Sequence, residues 1–231
     1  MNQEGNIALE VDGRRLNVLP GISLLQACLE NDIFIPNLCW MASMTRPPAS
    51  CRLCFVQVEG RDRPQTSCTL EVEEGMVVRT DTDEVRELQR SAFELLMSAH
   101  HLMGKECPGH KQCQLQRISR FLKVSLKPRN VPVLAFGKDI ETSHPCLDYD
   151  PGRCVLCGRC VHVCTQRSHV QVLSFAYRGI KTVICFMGAR ELEAEHCLSC
   201  LACVQACPVA ALTLKEEIGR ASCRERVCVG V

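Results

Sequence analysis

Residues 154–164, CVLCGRCVHVC, and residues 197–208, CLSCLACVQACP, carry the same cysteine rhythm: two gaps of two residues, then one of three. Three cysteines at C-x2-C-x2-C spacing wrap one face of a cubane. A fourth, one helical turn later, projects from the following helix toward the neighbouring cluster. Cys154, Cys157 and Cys160 are therefore expected to share a first [4Fe-4S] cluster with Cys207. Cys197, Cys200 and Cys203 are expected to share a second with Cys164. Pro208, directly after the last ligand, matches the C-P end of such runs. A pair of four-cysteine zinc sites is the competing reading, but zinc motifs usually separate two C-x2-C pairs by a longer loop. Between the two halves, VQVLSFAYRGIKTVICF predicts a hairpin turning at Arg178-Gly179.

Upstream lies a third set, Cys39, Cys51, Cys54 and Cys68. Its C-R-L-C core fits a [2Fe-2S] loop with the last cysteine distant, although the gap of eleven between Cys39 and Cys51 departs from the plant-type x4. The surrounding pattern supports that reading independently. Ile7 to Val11 and Arg15 to Leu19 alternate around an Asp12-Gly13 turn, a strong hairpin signal. Ser23 with Gln26 suggests a capping box opening the helix SLLQACLEND. Phe55 to Val58 and Met76 to Val78 read as further strands, which gives a small mixed sheet packed on one helix. Cys28, on the apolar face of that helix, reads as core, and so do Cys146 and Cys185, which lack spaced companions.

Composition narrows the function classes. The 231 residues include 19 cysteines, net charge is +1, and no long basic run suggests a nucleic-acid partner. The start, MNQEGNIALE, has neither the basic nor the apolar region of a secretory signal, so metal binding in the cytoplasm is favoured over a disulfide scaffold. No apolar run approaches the roughly 20 residues of a membrane helix, which leaves peripheral docking on a membrane complex open. With aromatics at 4%, each small domain has a thin core, and bound clusters would supply part of its folding free energy.

The expected fold class is α+β, with a β-grasp [2Fe-2S] ferredoxin-like domain over 1–80. A helical connector over 81–141 follows, with Asp81 and Glu84 capping a helix whose apolar stripe is Val85, Leu88, Phe93, Leu96 and Met97. Its second helix runs roughly from Cys113 to Val124. A ferredoxin-like 2[4Fe-4S] domain occupies 142–216. Residues 217–228, EIGRASCRERVC, read like the translation of a sequencing adapter, so 217–231 is expected to be a non-native tail and Cys223 and Cys228 are not counted as ligands.

The residues quoted so far carry a resemblance. IPNLCW-x9-SCRLCFVQVEG, SCTLEVEEGMVV, YDPGRCVLCGRCVHVC, RGIKTV and CLSCLACVQACPVAAL resemble the N-terminal segment of the large iron–sulfur subunit of respiratory complex I. They are equally similar to the small diaphorase subunit of NAD-linked hydrogenases, and to the N-terminal regions of iron-only hydrogenases and NAD-linked formate dehydrogenases. The resemblance spans nearly all of residues 1–216. It also implies a further cluster held by one His and three Cys spaced x2 and x5. Here Cys107 and Cys113 keep the x5 gap, His100 and His101 lie at the histidine position, and Gly104 replaces the first cysteine. A third [4Fe-4S] cluster is therefore in doubt: the segment is a plain connector, holds a three-iron form, or recruits a side chain such as Glu106.

No nucleotide fingerprint and no catalytic triad or carboxylate pair stands out, so no catalytic residue is assigned. The resemblance implies a relay of single electrons between a flavin- and NAD(P)-binding diaphorase-type subunit and a catalytic hydrogenase or dehydrogenase subunit. Two alternatives stay open: an electron-input fragment of a larger enzyme, and a free ferredoxin-like shuttle.

Overall fold

In the computed structural model, the described residues are 5–134, 140–141, 143–167, 172–187, 197 and 200–215. The tail expected at 217–231 lies outside them. They form two compact units, the first comprising residues up to Ser98 together with Leu115–Val133, the second Ala99–Gln114 together with the residues from Leu134 onward. Residues of the 81–141 stretch thus divide between the two.

The first unit is built on a hairpin, β1 (Ile7–Val11) and β2 (Arg14–Val18). Asp12 and Gly13 both take positive φ, 51° and 80°, which is the backbone twist that lets a two-residue turn follow the twist of its strands. Asp12 also accepts hydrogen bonds from the Thr80 N–H (2.8 Å) and hydroxyl (2.6 Å), pinning the turn to the end of β5 (Val77–Arg79). With β3 (Phe55–Val58) and β4 (Gln65–Thr66) the sheet order is β2-β1-β5-β3-β4, the β1–β5 pair parallel and the others antiparallel. Leu19, expected to close the second strand, stands outside it and is exposed.

Helix α1 (Leu24–Glu30) lays Leu24, Leu25, Ala27 and Cys28 into the sheet's apolar face. The Ser23 hydroxyl accepts the Gln26 N–H at 3.2 Å, while the Gln26 side chain turns to Glu30, so only half of the capping box forms. Helix α2 (Asp83–Ser98) packs on β3. Its cap is Thr82, whose hydroxyl accepts the Val85 N–H at 3.2 Å, because Asp81 is engaged by Arg86. The stripe differs too: Leu88 and Leu96 are only half-buried, and Gln89 is buried in their place. Its amide donates to the Phe55 carbonyl (3.0 Å), so the polar group is satisfied. Helix α3 (Gln114–Leu122) buries Leu115, Ile118 and Leu122.

The second unit holds β6 (Leu147–Tyr149) antiparallel to β9 (Leu212–Leu214), bringing the entry of one cysteine loop beside the exit of the other. Between them come α4 (Arg159–Arg167), a hairpin of β7 (Leu173–Ala176) and β8 (Val183–Phe186), and α5 (Ala202–Ala206). Helices α4 and α5 pack together.

Candidate metal centres

In the first unit Cys39, Cys51, Cys54 and Cys68 are all buried, at 3% exposure or less. The loop that gathers them passes through positive φ at Ala49 (50°) and Arg52 (52°), which turns it tightly enough to aim its thiols inward. The Cys39 and Cys51 sulfurs lie 3.4 Å apart, far beyond a disulfide at ~2.05 Å. Two thiolates on one tetrahedral metal with bonds of ~2.3 Å would stand about 3.8 Å apart. Cys54 and Cys68 form a second hydrogen-bonded pair. In each pair one thiol is held down by its neighbour, Cys39 by Cys51 and Cys54 by Cys68, while the other is pushed up. Two pairs of thiols is what a binuclear core takes, two per iron.

In the second unit Cys154, Cys157, Cys160 and Cys207 line one cavity with Tyr149, Ile184 and Leu212. Local backbone explains the convergence. Leu156 (φ 51°) and Gly158 (φ 76°) coil the first loop, α4 starts on Arg159 so that Cys160 sits in its first turn, and Cys207 caps the end of α5. The Leu156 N–H points at the Cys154 sulfur (3.4 Å) and the Ala211 N–H at the Cys207 sulfur (3.2 Å). Burial pushes the Cys157 thiol up to about 12 and raises Cys160. Cys164, one turn beyond Cys160, lies near Cys203, as do Cys197 and Cys200. Burial first, and then the charge of Cys164, push Cys203 up to about 12. Among the described residues no three His, Cys, Asp or Glu side chains meet at one point, as they would for a single ion. A cubane asks for one thiol per iron, arranged around the walls of a cavity. Soft sulfur donors gathered in sets fit iron–sulfur clusters better than a hard cation, and the sulfurs of Cys154 and Cys207 also meet N–H donors.

The segment His100–Cys113 is different. His100 is buried, burial holds its pKa below the usual value, and its Nδ1 has no hydrogen-bond partner among the described residues. His101 and Glu106 are exposed, Cys107 is half-buried and Cys113 is buried. Gly104 takes φ +61° with open space around it. The segment straps the cysteine loops at both ends: the His101 N–H donates to the Gly152 carbonyl (2.7 Å), and the Gln114 N–H to the Pro208 carbonyl (3.0 Å). Cys28 and Cys146 are wholly buried and Cys185 half-buried, none within these sets. Burial, and then the charge of Asp12, push the Cys28 thiol up to about 12.

Two features escaped the sequence reading. Asp150 and Arg153 form a buried ion pair (2.7 Å) at the mouth of the first loop. Arg153 also donates to the Ala210 carbonyl (2.6 Å), and Asp150 accepts the Gly152 N–H (2.8 Å). Tyr149, one of two tyrosines in the chain, buries its ring in the cavity wall. Its hydroxyl accepts the Ile184 N–H (3.2 Å) and hydrogen-bonds Cys154. A signal existed for Tyr149: an aromatic five residues before the first cysteine of the run, in a chain nearly without aromatics.

Known proteins match the chain in the same two regions. Residues 4–83 match the 2Fe-2S iron-sulfur cluster binding domain and residues 153–211 the 4Fe-4S dicluster domain. Over 90% of its length the chain is 32% identical to the NADPH-Fe(3+) oxidoreductase subunit alpha of Geobacter sulfurreducens, of which it spans 24%. Over 92% it is 32% identical to the NADP-reducing hydrogenase subunit HndD of Solidesulfovibrio fructosivorans, of which it spans 37%. It therefore spans between about a quarter and somewhat over a third of these curated relatives. A chain of an NAD+-reducing [NiFe]-hydrogenase crystal structure superposes with a TM-score of 0.79 at 28% identity, over 91% of this chain and 88% of that one. The chain thus joins a stretch matching the 2Fe-2S iron-sulfur cluster binding domain to one matching the 4Fe-4S dicluster domain, and over about nine-tenths of its length it is similar to subunits of hydrogenases and of an NADPH-linked oxidoreductase.

Proposed function

We propose that the chain is a cytoplasmic relay subunit, passing single electrons between a flavin- and NAD(P)-binding diaphorase-type partner and a catalytic hydrogenase or dehydrogenase. In this reading Cys39, Cys51, Cys54 and Cys68 hold a [2Fe-2S] cluster. Cys154, Cys157, Cys160 and Cys207 hold one [4Fe-4S] cluster, and Cys164, Cys197, Cys200 and Cys203 the other. When bound, such clusters take up and release one electron at a time, at potentials set by burial and by hydrogen bonds to sulfur. The chain's own residues bury Cys39, Cys51, Cys54, Cys68, Cys157 and Cys160 and aim N–H groups at the sulfurs of Cys154 and Cys207. The observation that carries the reading is three cysteine sets in one chain with no nucleotide fingerprint beside them. No helix among the described residues is long and apolar enough to cross a membrane.

The His100–Cys113 segment enters this reading as a strap without a cluster. Its support is Gly104 at a ligand position and the two backbone hydrogen bonds that tie its ends to the cysteine loops. A second reading, an electron-input portion of a larger enzyme, is favoured by the chain's 24% and 37% share of its curated relatives.

The test is anaerobic bleaching of the visible absorbance. NADH or NADPH alone is expected to leave the oxidised protein coloured, whereas either nucleotide with a purified diaphorase flavoprotein bleaches it. Bleaching by the nucleotide without flavoprotein, or none with it, would contradict the relay.

A further inference from the structure

We propose that the Tyr149 hydroxyl sets the reduction potential of the cubane in the Cys154 set by donating a hydrogen bond to the Cys154 sulfur. The inference rests on the reading that Cys154, Cys157, Cys160 and Cys207 hold that cluster. Tyr149 ends β6, is 2% exposed and lines the cavity beside those cysteines. A phenol has one proton to give. The Ile184 N–H already donates to the oxygen at 3.2 Å, which leaves the proton for Cys154, the thiol that lines the same cavity. The result is a polarised chain running from the β8 backbone through the tyrosine to the thiolate, in a buried site where each link strengthens the next.

Negative charge on the cluster sulfurs grows when an electron arrives. A donor aimed at one of them therefore stabilises the reduced state more than the oxidised one and raises the potential. The proton stays on the phenol oxygen in both states. Tyr149 is thus a positioning and tuning residue that acts through Cys154. It also links the potential to the β7–β8 hairpin, because the Ile184 N–H holds the hydroxyl in place.

The chain's composition makes a two-way test possible, since Tyr149 and Tyr177 are its only tyrosines and Tyr177 is exposed. The full chain is purified anaerobically as wild type, as Tyr149→Phe, and as Tyr177→Phe grown on 3-fluorotyrosine, which makes the remaining phenol a stronger donor. Each is titrated by electron paramagnetic resonance, the signal of this cubane being the one altered by Cys154→Ser. Tyr149→Phe is expected to shift that signal to more negative potential by about tenfold in the reduction equilibrium, ~59 mV for one electron. The fluorinated protein is expected to shift it the opposite way, with the other two clusters unmoved in both. A steric role for the ring would not produce shifts of opposite sign. Unchanged potentials, shifts of the same sign, or equal shifts in all clusters would overturn the inference. Should Tyr149→Phe lose the cluster, the fluorinated protein decides alone: a positive shift supports the assignment and none overturns it. A wild-type protein without any cubane signal would overturn the cluster reading itself, and the inference with it.

Discussion

Replacing Arg153 by methionine removes a guanidinium while keeping most of the side chain's apolar stem. The residue's partner, Asp150, has a side chain only 9% exposed, and Arg153 itself 6%, so neither charge can turn to water when the other is removed. Taking away one member of a buried pair costs about 3–5 kcal/mol, because the remaining charge is left uncompensated. The variant also frees the Ala210 carbonyl, which accepts from Arg153 at 2.6 Å and sits in the loop just beyond Cys207. For a unit of roughly 100 residues each kcal/mol moves the midpoint by about 4–8 °C, so the loss should be at least ~12 °C. The assay is the midpoint of cluster bleaching on heating under argon at a fixed scan rate. The double variant Asp150→Leu/Arg153→Met should recover much of the loss, since it leaves no orphaned charge. An Arg153→Met midpoint within ~3 °C of wild type would refute the claim that this ion pair clamps the two cysteine loops together.

Cys54→Ser is expected to abolish the binuclear signal while leaving both cubane signals and about eight iron atoms per chain, by iron analysis and electron paramagnetic resonance. Cys207→Ser should perturb the same cubane as Cys154→Ser, although it lies beside Cys203 in sequence; a change confined to the other cubane would reverse the assumed exchange of fourth ligands. Cys28 gives a pH prediction. Its folded thiol is pushed from 9.0 up to about 12, so between those values the unfolded chain has lost a proton that the folded one keeps. Its contribution is intact below pH 9 and falls by about 1.4 kcal/mol per pH unit above it. Denaturation of wild type and Cys28→Ala at pH 8, 9.5 and 10.5 should show that extra slope only in the wild type; parallel slopes would count against it.

Local pattern carried a large part of the architecture. The Asp12-Gly13 turn was legible because two positive-φ positions between alternating strands leave few other conformations open. The cysteine rhythm was legible because a C-x2-C loop continuing into a helix has few ways to aim its sulfurs. What stayed hidden depends on chain segments far apart. Gln89 faces inward only because the Phe55 carbonyl, 34 residues earlier, needs a donor. Arg153 reaches Ala210 across 57 residues, and Tyr149 meets Ile184 across 35, and neither partner leaves a periodic trace. The α2 cap moved by one residue, to Thr82, because Asp81 had a guanidinium to bind instead.

The account's central claim is most directly tested by iron, acid-labile sulfide and zinc analysis of freshly isolated, oxygen-protected protein, read with its electron paramagnetic resonance spectrum. It predicts two iron atoms in a binuclear centre and four in each of two cubanes, about ten per chain with matching sulfide. Colourless protein with zinc in place of iron would contradict it.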